Sequence, residues 1–102
     1  MSWNTPPQEA FEREHGCVDA EWRRWLPGAV KTHRLHLDAA PQASVDLDPG
    51  TLHLAWQALP PRRVALITMP RMVVQYRFEG VAAEQRQAFM RYFDLYMQRG
   101  GG

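Results

Sequence analysis

Four histidines, one cysteine and twelve basic side chains are the groups in this 102-residue chain whose chemistry could serve a site. His15 and Cys17 stand two positions apart and invite a metal reading. Structural zinc sites draw on about four ligands, usually as close-spaced pairs of cysteine or histidine. The remaining histidines, His33, His36 and His53, supply no such spacing. On a strand, His33 and His36 would point to opposite faces. No metal and no cofactor is therefore expected, and Cys17 reads as a small buried apolar residue. A nucleophilic Cys17 would need a base within hydrogen-bond reach and an oxyanion hole, and no sequence pattern marks either. No nucleophile-elbow, P-loop or dinucleotide-binding pattern is present. No catalytic residue is assigned, and the balance favours a non-enzymatic protein.

Three other groups of residues could form binding surfaces. Arg62, Arg63, Arg71 and Arg77 fall in or beside two strands and together would make a basic patch. An RNA-binding sheet would also present stacking aromatics, whereas Tyr76 and Phe78 have the opposite parity to Arg71, Gln75 and Arg77. A solvated or ion-paired surface is the plainer expectation. Trp22 and Trp25 could anchor a partner, as such rings often do, or could cover a sheet face within their own chain. His53, Arg86, Tyr92 and Tyr96 would be the polar groups of a pocket between the sheet and a C-terminal helix.

Composition limits the classes available. At this length the chain is expected to form a single domain over residues 1–102, with flexible ends at 1–4 and 99–102. Hydrophobic content of 45% with 23% charged residues is ordinary for a folded globular chain. The longest uninterrupted aliphatic run, residues 64–67, is far short of a membrane span. No secretory signal pattern opens the sequence, and one cysteine allows no internal disulfide, so a cytoplasmic location is expected. A net charge of +1 argues against a dedicated nucleic-acid binder. Charge is nevertheless uneven: residues 1–60 carry a net −3, and residues 61–80 a net +3.

The elements that must position these groups follow from periodicity. Thr5-Pro6-Pro7-Gln8 reads as a helix start with Thr5 as cap, predicting a first helix over residues 6–15 closed by Gly16. Asp19 is placed to cap a second short helix bearing Trp22, Trp25 and Leu26, stopped by Pro27-Gly28. Strand texture runs from Lys31 to Asp38, residues 39–42 read as a connection, residues 44–47 as a short strand, and Thr51 to Leu59 as another after the Asp48-Pro49-Gly50 turn. Pro60-Pro61 should break the chain. Residues 63–69 then read as a central strand, because Val64, Ala65, Leu66 and Ile67 are apolar on both faces. A turn is expected at residues 69–72, then a strand over 72–78. A helix from about 82 to 98 places Phe89, Met90, Phe93, Tyr96 and Met97 on one broad stripe.

The expected fold is α+β: an antiparallel β-meander of four to five strands, two short N-terminal helices and one long C-terminal helix packed on the sheet. A doubly apolar central strand would need cover on both faces, which predicts a homodimer. Two function classes follow. One is a small non-catalytic interaction module that self-associates. The other is a small-molecule-binding protein or enzyme, its pocket between the sheet and the C-terminal helix.

Overall fold

Alternation of apolar and polar residues sets most of this structure, a computed structural model that describes residues 8–100. Its elements are β1 (Ala10–His15), α1 (Asp19–Ala29), β2 (Arg34–Leu37), β3 (Gln42–Asp46), β4 (Thr51–Val64), β5 (Ile67–Glu79) and α2 (Ala83–Gln98). The fold is α+β. Five antiparallel strands form one sheet in the order β1-β5-β4-β3-β2, so β1 adds to the far side of a four-strand meander. Gly50 makes the β3–β4 turn with φ of 87°, and a Cβ there would collide with the carbonyl oxygens of Glu79 and Gly80. Among the described residues, no helix is long and apolar enough to cross a membrane.

Both helices lie on one face of the sheet. Leu52, Leu54 and Trp56 of β4, and Met72, Val74, Tyr76 and Phe78 of β5, are buried beneath them. From α2 come Phe89, Met90, Phe93 and Met97, the stripe read from spacing, with Tyr96 half-buried at its edge. From α1 come Trp22 and Leu26. The rings interlock: Phe93 lies 6.0 Å from Trp22, 5.9 Å from Tyr76 and 5.7 Å from Phe89 between centroids. The two helices approach closely at Gly28, where a Cβ would overlap the Tyr96 ring.

The N-terminal part departs from expectation. Residues 10–15 form β1, not the end of a helix, so the described residues hold one N-terminal helix rather than two. Thr5 and its predicted cap lie outside the described residues. Six residues make little helix in water, whereas in β1 each of them pairs with β5, from Ala10↔Arg77 to His15↔Met72. Tertiary pairing overrides local propensity here. Pro27 does not stop α1 either; the helix runs on to Ala29.

The larger correction concerns residues 59–72. The supposed central strand is the tip of the β4–β5 hairpin, with Val64 opposite Ile67 and Ala65-Leu66 as the turn. Ala65 takes φ of 54°, a conformation usually given to glycine or asparagine, so the turn carries no sequence signature. Pro60-Pro61 and Pro70 do not end strands. Pro60-Pro61 falls at the register shift between Leu59 and Arg62, in a stretch where β4 pairs with β5 alone. Proline is tolerated at such bulges and edges because no further neighbour needs its missing N–H.

Phe93 is fully buried at the centre of the aromatic cluster. Replacing it with alanine should cost about 3–5 kcal/mol, read as a large fall in the urea midpoint. A midpoint close to wild type would show that the cluster does not hold the helices to the sheet.

Candidate functional site

Because both helices occupy one face, alternation sends the other half of each strand to an uncovered face. There a depression of about 690 Å³ opens over the middle of the sheet. Side-chain size accounts for it. Ala10, Ser44 and Ala55 form a low floor, and Glu12, His36, Asp38, Gln42, His53, Gln75 and Arg77 stand around it. The register arranges these residues in two rows. Ala10, Arg77, His53, Ser44 and His36 lie side by side across all five strands. One step along, Glu12, Gln75, Ala55 and Gln42 form the second row.

The second row is tied internally. Gln75 Nε2 donates to Glu12 Oε2 at 3.1 Å, and Gln42 Nε2 donates to Asp38 Oδ2 at 2.7 Å. In the first row His53 Nε2 lies 2.9 Å from Glu79 Oε1. That contact, with the Arg77 charge adding to it, holds the Glu79 carboxyl below its usual range. The side chains of Arg77, Ser44 and His36 make no hydrogen bond or ion pair with other described residues.

Beyond the helices, β4 and β5 continue as a two-stranded arm whose residues 60–69 are all exposed. Its tip is aliphatic: Leu66 is 101% exposed, Ile67 62%, Val64 53% and Met69 47%. Arg62 and Arg63 lie just behind the tip, opposite Met69 and Thr68. No acidic residue occurs between Asp48 and Glu79.

The four arginines thus do not form one patch. Arg62 and Arg63 are on the arm and Arg77 is in the depression. Arg71, at the base of the arm, grips both oxygens of Glu14 at 2.9 Å and the Pro60 carbonyl at 3.2 Å. That pairing holds the Glu14 carboxyl below its usual range. Trp22 is in the core, and Trp25 is half-buried against it, so neither ring stands free on the surface.

Of the four residues read as pocket groups, His53 faces the open side while Arg86, Tyr92 and Tyr96 belong to α2 on the covered side. Arg86 Nη1 donates to the Val81 carbonyl at 2.7 Å, Tyr92 receives the Lys31 ammonium 4.0 Å above its ring, and Tyr96 covers Gly28. The aromatic cluster packs between the sheet and α2, and a smaller cavity of about 200 Å³ remains at the Tyr92 side of α2, lined also by Lys31, His33, Leu47 and Phe89. Sequence alone offers His36 only as a possible metal ligand, groups Gln75 with Arg71 and Arg77 by parity, puts Glu12 on a predicted helix and gives Ser44 no site role. For His36, Ser44 and Gln75 strand parity is the available signal, usable only once the strand order is known, whereas Glu12 carries none because residues 6–15 read as a helix.

A second polar cluster sits at the edge of the core. His15 Nε2 is 2.7 Å from the Tyr76 hydroxyl, and Arg13 on β1 pairs with Asp94 on α2 while lying over the Phe11 ring. Burial, assisted by the Arg13 charge, lowers the His15 pKa, and burial pushes the Tyr76 phenol well up. Both are neutral in the fold near pH 7. Cys17 is buried against Met72, and burial raises its thiol to about 11, so it is not an activated nucleophile. Among the described residues, no three histidine, cysteine or carboxylate side chains converge as metal ligands. Comparison with protein families, with curated proteins and with solved structures finds no match to this chain.

The cluster predicts an acid sensitivity. A histidine whose folded pKa is depressed binds its proton more readily when unfolded, so its contribution is complete above the ordinary value of about 6.5. Stability should fall as pH drops from 6.5 toward the lower folded value. The lowered carboxylates, Glu14, Asp19 and Glu79, act in a more acidic range. His15→Gln should therefore lose less stability than wild type between pH 7.5 and 5.5 in urea melts. Equal losses would remove His15 as the cause.

Proposed function

We propose that this protein is a small non-catalytic interaction module that self-associates through its β4–β5 arm. The observation that carries this reading is the exposed aliphatic tip at Val64, Leu66, Ile67 and Met69. A two-stranded ribbon is at best marginally stable alone in water, and clustered exposed apolar side chains mark interaction sites. Among the described residues the other large exposed apolar side chains, Val18, Leu37 and Leu95, lie on three separate elements or their flanks.

Charge favours a second copy as the partner. Arg62 and Arg63 have no carboxylate at ion-pair distance among the described residues. The first sixty residues of another copy would offer a net −3. A symmetric pair would bring each arm against the other chain and leave no unmatched surface. A cytoplasmic setting agrees with the free, buried Cys17.

Light scattering coupled to size exclusion, at tens of micromolar, should give twice the chain mass. The double substitution Leu66→Asp and Ile67→Asp should give the monomer with an unchanged far-UV spectrum, since both side chains lie outside the core. A wild-type monomer at that concentration would overturn the reading.

A further inference from the structure

We propose that the uncovered sheet face binds a small zwitterionic ligand of amino-acid or dipeptide size. The depression there, about 690 Å³, falls within the range of small-ligand sites. Its chemistry is divided by row. Arg77, His53 and Ser44 bring a guanidinium, an imidazole and a hydroxyl to one side, and Glu12 brings a carboxylate to the other.

The decisive pair is Arg77 and Glu12. They occupy diagonal positions on neighbouring strands, since Arg77 is opposite Ala10 and Glu12 is opposite Gln75. Such diagonal residues stand about 7–8 Å apart, their Cβ atoms somewhat closer, within reach of both long side chains. Yet they make no ion pair with each other. Glu12 spends one oxygen, Oε2, on Gln75, and the Arg77 side chain has no hydrogen-bond partner among the described residues. Ala10 and Gln75 complete the square around them, and above the small Ala10 side chain the space is open to a molecule carrying both charges. Its carboxylate would accept from Arg77, a charge-assisted contact of the stronger kind. Its ammonium would donate to Glu12, and the remainder would lie over Ser44 and Ala55.

Other ligand chemistries fit less well. A simple anion would meet the Glu12 and Asp38 carboxylates. A simple cation would meet Arg77. A nucleobase would find only the His36 and His53 imidazoles to stack on, because Tyr76 and Trp56 are buried in the core and Phe11 packs against it.

The test is a titration of ¹⁵N-labelled protein with L-alanyl-L-alanine, followed by amide shifts. Saturable shifts should be confined to residues 10–12, 42–44, 53–55 and 75–77. Arg77→Gln and Glu12→Gln should each weaken binding by about tenfold or more, with the rest of the spectrum unchanged. Blocking either charge of the ligand, as the N-acetyl dipeptide or the dipeptide amide, should have a similar effect. The absence of saturable shifts at tens of millimolar would overturn the proposal, and so would equal binding of the N-acetyl form. The Leu66→Asp, Ile67→Asp protein should bind the dipeptide like wild type, so the result is separable from self-association.

Discussion

Placing both helices on one face of the sheet is the constraint from which the other features follow. A sheet five strands wide with one covered face must alternate inward apolar and outward polar residues, and its central strands do. Each large apolar side chain buried under the helices contributes roughly 1.5–3 kcal/mol. Trp22, Phe89, Phe93 and Tyr76 do this while meeting edge to face or tilted, geometries that add to simple burial. The opposite face then needs no cover. Its residues can be chosen for something other than packing, and its small central side chains leave the depression.

Polar contacts decide where the edges lie rather than how strongly the molecule holds together. Exposed ion pairs contribute about 0–1 kcal/mol each, less than a single core ring. Arg71–Glu14 and Arg13–Asp94 nevertheless fix β1 to β5 and to α2 in one register. At the other side Asp19 accepts from the Trp56 indole at 2.6 Å and from Arg23 at 2.9 Å. Arg23 also reaches the carbonyls of Asp38, Ala39 and Ala40, so a single guanidinium joins the start of α1 to the β2–β3 connection. The Trp56–Asp19 bond lowers the Asp19 pKa with help from Arg23, so this node is strongest when the carboxylate is charged.

How much of this was legible in sequence depends on whether local or distant forces decide each element. The stripe Phe89–Phe93–Met97 is long and regular, so α2 could be read from spacing alone. The Asp48-Pro49-Gly50 turn was equally plain, since glycine there avoids a backbone collision. The stretch 10–15 was misread because its strand character comes from pairing with β5, more than fifty residues away in sequence. The run Val64–Ala65–Leu66–Ile67 was misread because apolarity was equated with burial. Nothing in its composition distinguishes a doubly covered strand from an exposed hairpin tip, and Ala65 takes the place where glycine would have signalled a turn. The open-face residues were visible one at a time, but only the strand order brings Glu12, Arg77, His53 and Ser44 together.

An exposed aliphatic arm that meets a partner copy would lose its solvent exposure as the protein is concentrated. Amide hydrogen exchange over residues 59–71, followed as protein concentration rises from sub-micromolar to about 100 micromolar, tests this directly. Rising protection of these amides, with little change over α2, is the predicted result. Exchange in the arm that is the same at every concentration would contradict it.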